Sequence, residues 1–263
     1  MSTRALIFDV DGTLVDTEEL HRRAFNQVFL DFKLGWKWTP ELYVELLKFS
    51  GGPDRIAAYI QRLETTDSQK AYLQQILPML HREKTQVYAE LARDAAVQPR
   101  PGVARLIREA LKSGVKVGLV STSALPDVRG LISTALGEDV SGMLDPIVCA
   151  EHVAKRKPAP DLYLLALNML RLPAEECVAF EDSANGLAAA KAAGIYTVVT
   201  PSRWTAIQNF KGADLLLSAL GDPDRPLEAV EAAMIGGGGY LTLSDVQALH
   251  TGGPTATVAA LRR

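Results

Sequence analysis

The chain has 263 residues, enough for one large domain or two modest ones around a sizeable core. Its 28 basic and 31 acidic side chains leave a formal charge of −3 with no basic block, which speaks against a nucleic-acid partner. No apolar run is long enough to span a membrane, and the opening "ALIF" is too short for a signal peptide and is cut off by Asp9. The expectation is therefore a soluble cytoplasmic protein, monomeric, whose two cysteines, Cys149 and Cys177, are buried thiols in apolar runs.

The first element is a short apolar strand, Ala5 to Phe8, that runs into Asp9 and Asp11 and then at once into Gly12 and Thr13. Two carboxylates this close raise each other's proton affinity, and desolvation raises it further, so the pair needs a compensating partner. Taken alone, the pair is also explained by turn chemistry, which Asp suits. Asp16, three residues before Glu19, reads as a helix N-cap in a variant capping box. The helix it opens, "EELHRRAFNQVFLDF", sets Leu20, Ala24, Phe25, Val28, Phe29 and Phe32 on one face. Thr39 and Pro40 open a second helix carrying Leu42, Leu46 and Leu47. Further helical stretches run from Asp54 to Leu63 and from Ser68 to Ala92, the last interrupted at Pro78. Residues 17–94 thus form an all-helical insert large enough to be a small domain.

From residue 95 to 228 short apolar strands alternate with helices. Pro101 and Gly114 bracket a helix, "VKVGLV" is a strand ending at Ser121, and "DPIVCA" is a weaker strand. A loop and helix follow in "KRKPAPDLYLLALNML", then a strand "CVAF" ending at Glu181 and Asp182, a small-residue helix capped by Ser183, and the strands "IYTVVT" and "ADLLL". This alternation predicts an α/β fold: a doubly wound, mostly parallel sheet covered on both faces, built from residues 1–16 and 95–228. After residue 228 the alternation fades. There "MIGGGGYLTLSDVQALH" predicts a Gly-rich connection, a short strand and a short helix, with no functional reading for residues 229–263.

Open parallel sheets bind ligands beyond the carboxyl ends of their strands. Those ends deliver Asp9 and Asp11, Ser121 and Ser123, and Glu181 and Asp182, while the loop before Pro158 delivers Lys157. Carboxylates crowded in this way are held ionised by a divalent cation, and all-oxygen ligands suit magnesium. Lys157 and Ser121 are then suitable partners for a substrate phosphate. The helical insert adds Lys48 before "SGG", Arg55, Arg82 and Lys84, cations of the kind that a second phosphate requires, although each is also explained as a solvated helix residue.

"DVDGT", "VST", "KPAPD" and "FEDSANG", in this order and on these elements, resemble the four motifs of the haloacid dehalogenase-like phosphohydrolases, over residues 4–217. The insert between the first two motifs resembles the subfamily with an α-helical cap, which includes β-phosphoglucomutase and phosphoglycolate phosphatase. "DGTLVDTEELHRRAF" and "KPAPDLY" are similar to the CbbY-type sugar-bisphosphate phosphatases. The resemblance implies a magnesium-dependent phosphoric monoester hydrolase of carbohydrate metabolism and the Calvin cycle. Its substrate would be a small phosphorylated sugar, xylulose 1,5-bisphosphate foremost. By the same resemblance Asp9 attacks phosphorus and becomes an aspartyl-phosphate, and Asp11 protonates the leaving oxygen and later deprotonates water. The metal lies between Asp9, the main-chain carbonyl of Asp11 and Asp182, with Glu181 a further ligand. Ser121, Thr122, Lys157 and the turn amides at Gly12 hold the phosphoryl oxygens. Glu18, His21, Lys48, Gly51, Gly52, Arg82, Lys84 and Ser123 are the candidate substrate contacts. The site is expected where the insert meets the sheet, opening and closing around the substrate.

The rivals are a phosphosugar mutase using the same intermediate, a non-enzymatic binding protein on this fold, and a dehalogenase. Ala124 and Leu125, which replace mutase-like residues after Ser123, lower the first. Intact Asp9, Asp11, Lys157 and Asp182 oppose the second, and Asp11 with the second acidic pair opposes the third.

Overall fold

The computed structural model describes residues 2–95 and 97–252. The chain divides into two compact units, one of residues up to Asp16 and from Gln98 onward, the other Thr17–Val97.

The first unit is built on a sheet. It contains β1 (Ala5–Asp9), α5 (Val103–Lys112), β2 (Lys116–Val120), α6 (Leu125–Leu136), α7 (Glu138–Ser141), β3 (Ile147–Val148), α8 (Asp161–Leu170), β4 (Cys177–Glu181), α9 (Ala184–Ala192), β5 (Tyr196–Val199), β6 (Leu215–Leu216), α10 (Ala229–Met234) and α11 (Leu243–His250), the intervening numbers α1 to α4 falling in the other unit. The six strands are all parallel, in the order β3-β2-β1-β4-β5-β6. All six predicted strands of the sheet are present.

Every residue of β1 and β4 is buried, so both sheet faces are covered, as near-continuous apolar strands require. On one face Ala5, Ile7 and Ala179 pack against Leu162, Tyr163 and Ala166 of α8 and Ala189 and Ala190 of α9. On the other, the paired residues Phe8 and Phe180 stack with ring centroids 4.3 Å apart. Burying each such ring contributes about 1.5–3 kcal/mol. This central packing fixes the heights of the β1 and β4 ends, and with them the positions of the acids that follow. Cys149 and Cys177 are buried free thiols, as expected.

The second unit consists of α1 (Glu18–Asp31), α2 (Pro40–Leu46), α3 (Gly52–Arg62) and α4 (Asp67–Asp94). Its core is aromatic: Trp38 is fully buried against Phe25 and Phe29, at centroid distances of 4.5 and 4.9 Å. Two expectations need correction here. The N-cap of α1 is Thr17, whose side chain makes no capping bond, and Asp16 lies outside the helix. Glu19 instead pairs with Arg22, which donates to both its oxygens, at 2.7 and 3.0 Å. Nor does Pro78 interrupt the last helix, since α4 runs unbroken through it. Pro78 is exposed, so the carbonyl it leaves without a donor can turn to water, while packing of α4 on α1 and α3 holds the rest.

A third correction concerns the segment after residue 234. The expected strand at "YLTL" is absent. Leu241 makes one ladder-like bond, its N–H to Leu220 O at 2.8 Å, and Thr242 is used as the N-cap of α11 in a capping box with Asp245. The region is pinned to α5 from both sides: Arg105 donates to the carbonyls of Gly221 and Leu241, and Glu109 accepts the Leu243 N–H. No helix among the described residues is long and apolar enough to cross a membrane.

A proline in a helix interior costs about 3 kcal/mol relative to alanine. Pro78→Ala is therefore expected to raise resistance to urea, by up to about that amount, because an exposed ring has little packing to lose. Urea unfolding of the full chain checks this, and a lower midpoint would show that α4 requires its proline.

Candidate active site

The C-terminal ends of β1, β2 and β4 place the predicted residues together. Lys157, buried in the loop before α8, donates to Asp9 Oδ1 at 2.5 Å and to Glu181 Oε1 at 2.6 Å. Tyr163 of α8, also fully buried, donates its hydroxyl to the same Glu181 oxygen at 2.5 Å. Asp182 is buried beside them, its Oδ2 accepting from Thr205 Oγ1 at 3.2 Å.

Electrostatics set the charge balance of this cluster. Burial drives the Asp9 carboxyl up to about 7; Lys157 opposes this, and Glu181 and Asp11 add to it. For Lys157, burial works against the charge, but Asp9 and Glu181 outweigh it and hold the ammonium well above its usual range. Burial and the neighbouring carboxylates hold the Tyr163 phenol protonated, hence a donor. One ammonium thus faces several carboxylates. Among the described residues Asp9, Glu181 and Asp182 offer ligand oxygens all within 4.8 Å of one another. Glu181 Oε2 is buried and has no hydrogen-bond partner among the described residues. An all-oxygen donor set with an orphaned carboxylate oxygen fits a hard divalent cation such as magnesium. Because Oε1 is committed to Lys157 and Tyr163, Oε2 is the atom Glu181 has to offer.

Asp11 is held differently. Ser123 Oγ donates to its Oδ2 at 2.7 Å, with Ser121 Oγ at 3.5 Å. Ser123, expected among the substrate contacts, therefore orients the second aspartate. Ser121 is buried and Thr122 half-buried at the end of β2.

Two glycines make the close approaches possible. Gly12 has φ +90°, and a Cβ there would collide with the Asp182 carboxylate. The Gly12 N–H donates to Val15 O at 2.7 Å, so this amide is already used, and the expectation that it faces a phosphate is corrected. Gly186, in the first turn of α9, leaves the space that the Glu181 carboxylate occupies. The N-terminus of α9 is closed by Ser183, as predicted, and by Gln208, which accepts the Ala184 N–H.

Three contributors escaped the sequence reading. Tyr163 lay inside a recognised motif, and its hydroxyl on an otherwise aliphatic helix face was the available signal. Arg100 is half-buried and donates to the carbonyls of Gly12 and Thr200, each at 2.6 Å, and of Pro201 at 3.0 Å. Burial lowers the pKa of its guanidinium, while Asp182 and Asp16 support the charge. It fastens the Gly12 turn to the segment after β5, from which Thr205 reaches Asp182. Neither Arg100 nor Thr205 had a pattern around it that marked it.

The family description "haloacid dehalogenase-like hydrolase" matches residues 3–194. The chain belongs to the haloacid dehalogenase-like hydrolases. Protein CbbY (plasmid) of Cupriavidus necator is 43% identical over 224 residues, 85% of this chain and 88% of the relative. A phosphorylated carbohydrates phosphatase of Thermotoga maritima is 32% identical over 197 residues, 73% and 82% of the two chains. Among solved structures, a CbbY mutant from Rhodobacter sphaeroides in complex with xylulose-(1,5)bisphosphate is 40% identical, with a TM-score of 0.74 over 83% of this chain and 95% of that one. The family match ends before β5, so Thr200, Pro201 and Thr205, which brace the hydrolase site from behind, lie beyond it.

The helical unit holds the other candidates, in two groups. Glu18, His21 and Lys84 are buried. Tyr43 donates to Glu18 Oε2 at 2.6 Å and Arg55 lies 3.6 Å from the same oxygen. Lys84 Nζ is 2.6 Å from His21 Nδ1. An ammonium has no acceptor, so Lys84 donates and the proton of a neutral His21 sits on Nε2. His21 also stacks on Tyr88 at 4.0 Å. Lys48 and Arg82 are exposed instead, Lys48 over the Phe49 ring and Arg82 3.6 Å from Glu83. The surface position of Arg82 separates it from Lys84, which lies two residues away on a different face of α4. Gly51 is the N-cap of α3, and a Cβ on Gly52 would press on the His81 ring.

Gly186→Ala should lower thermal stability, because the new methyl must displace a buried, charge-paired carboxylate; overpacking of this kind costs about 1–3 kcal/mol. The intrinsic helix preference of alanine acts in the opposite direction, so the sign of the change in Tm decides the matter. A raised Tm would mean that Glu181 moves aside at no cost.

Proposed function

We propose that this hydrolase is a magnesium-dependent phosphatase that cleaves a small phosphorylated sugar through an aspartyl-phosphate on Asp9, and that its substrate is a sugar bisphosphate such as xylulose 1,5-bisphosphate. The observation that carries the reading is the Asp9 carboxylate at the end of β1, gripped by buried Lys157 and grouped with Glu181 and Asp182. The likeness to a CbbY structure that holds xylulose-(1,5)bisphosphate supports the choice of substrate.

A carboxylate oxygen of Asp9 attacks phosphorus as the bond to the sugar oxygen breaks, and Asp11 gives that oxygen its proton. Asp11 then takes a proton from a water that attacks the aspartyl-phosphate, releasing inorganic phosphate and restoring Asp9. Ser123 keeps Asp11 oriented for both transfers. Lys157 has three N–H donors, two of them given to Asp9 and Glu181, and the third serves a phosphoryl oxygen. Ser121 and Thr122 lie at the end of the adjacent strand to receive others. Asp9, Asp182 and the Asp11 carbonyl, with Glu181 Oε2 as a further donor, would hold a magnesium ion, which would supply positive charge to the carboxylates and the phosphoryl group.

Phosphate release across a panel of mono- and bisphosphorylated sugars tests this. Activity is expected to vanish in chelator and return with magnesium, and Asp9→Asn is expected to abolish turnover in a folded protein, because an amide cannot attack phosphorus. Full activity in chelator after dialysis, or near-normal release by Asp9→Asn, would overturn the mechanism. A sugar-phosphate isomer as product in place of inorganic phosphate would identify a mutase.

The second phosphate needs its own cations, since a dianion is costly to desolvate unpaired. Lys48 is exposed on the helical unit three residues before Gly51, where small residues let main-chain amides approach a ligand. Lys48→Ala should reduce kcat/KM for a sugar bisphosphate by about tenfold to a hundredfold and leave a small artificial phosphate ester almost unaffected. Equal losses on both substrates would make Lys48 a general structural residue, and no loss on either would remove it from the site.

A further inference from the structure

The buried hydroxyl of Tyr163 is more than a satisfied core phenol. Its ring belongs to the core between α8 and β1, packed with Ala5, Ile7 and Ala179, and packing alone would be served equally by phenylalanine. The hydroxyl instead reaches Glu181 Oε1, the same atom that receives Lys157. The Lys157 ammonium also lies 5.4 Å from the centroid of the Tyr163 ring. On its other side the Glu181 carboxylate fills the space left by the absent side chain of Gly186. Glu181 is thus fixed between Tyr163, Lys157 and α9.

We infer that Tyr163 is a positioning residue for Lys157, acting through Glu181: by occupying part of the Oε1 lone-pair density it limits the hold of Glu181 on the ammonium and keeps Lys157 shared with Asp9. A carboxylate oxygen has two lone pairs, and a donor placed on one of them leaves less of its negative charge for a second donor. With the hydroxyl removed, Oε1 draws Lys157 toward Glu181 and away from Asp9, where the phosphoryl oxygens arrive. This deepens the phosphatase reading and rests on it for its kinetic consequence. The position of Lys157 itself can be read without turnover.

The test compares wild type, Tyr163→Phe, Glu181→Gln and the double variant, all loaded with magnesium, on a small artificial phosphate ester. Tyr163→Phe is expected to lower kcat by about tenfold, the scale of a hydrogen bond to a charged group, with little change in KM. In the Glu181→Gln background the same substitution should add less than about a twofold loss, because a neutral amide oxygen no longer pulls the ammonium away from Asp9 and the phenol has no such pull to limit. In protein labelled with 15N-lysine, the Lys157 ammonium resonance should shift in Tyr163→Phe, and adding Tyr163→Phe to Glu181→Gln should leave it in place. An unchanged kcat, an equal loss in both backgrounds, or an unmoved resonance overturns the inference and returns Tyr163 to packing. If wild type releases no phosphate, the phosphatase reading fails, and the resonance alone decides whether Tyr163 governs Lys157.

Discussion

One ammonium organises the carboxyl edge of the sheet. Lys157 is buried between Asp9 and Glu181, at 2.5 and 2.6 Å, where burial works against its charge. Desolvating each ion costs several kcal/mol, and the cost is recovered only when geometry is good and remaining hydrogen-bonding capacity is used. Here the supporting groups are the Tyr163 hydroxyl and the rigid ends of two adjacent, fully buried strands. Lysine suits the position better than arginine because its charge is compact and its donors fan out toward separate acceptors. A planar guanidinium would bind a single carboxylate in bidentate fashion and fix it there.

The backbone around this ion is shaped to let charges approach. Gly12 and Gly186 lie at the two acidic strand ends, and each leaves out a side chain that would strike a carboxylate, Asp182 in one case and Glu181 in the other. Arg100 performs the complementary task with its half-buried guanidinium, joining the carbonyls of Gly12, Thr200 and Pro201. A cation that collects carbonyl oxygens also adds positive potential near Asp182. Carboxylates remaining in excess of these cations make a divalent ion the natural counter-charge.

In the helical unit the polar residues divide by burial, and burial decides what they do. Lys84, His21 and Tyr88 form a column whose contacts are fixed by packing, with Lys84 also 5.0 Å from the Phe25 ring. Glu18 accepts from Tyr43 and pairs with Arg55 within the same unit. Arg82, two residues from Lys84 in the chain, lies 3.6 Å from its neighbour Glu83 on the surface, a pairing of the kind that contributes little.

Much of the molecule was legible in the sequence. Apolar runs such as "ALIF" and "CVAF" specify buried strands because a parallel sheet is covered on both faces, and the acids just after them are bound to emerge at one edge. Chain-local physics thus brought Asp9, Asp11, Ser121, Lys157, Glu181 and Asp182 together. Local rules failed where a distant group competed: Arg22 took the Glu19 carboxylate, packing carried α4 through Pro78, and capping of α11 left "YLTL" without a strand. The link from Tyr163 to Glu181, the reach of Arg100 across about a hundred residues to Thr200, and the space that Gly186 leaves were decided only in three dimensions. The sequence by itself determined which chemical groups stand at the sheet edge, since strand period and strand ends are properties of short segments. Tertiary structure alone decided which of those groups share a proton, a cation or a cavity, because such contacts depend on distances between segments far apart in the chain.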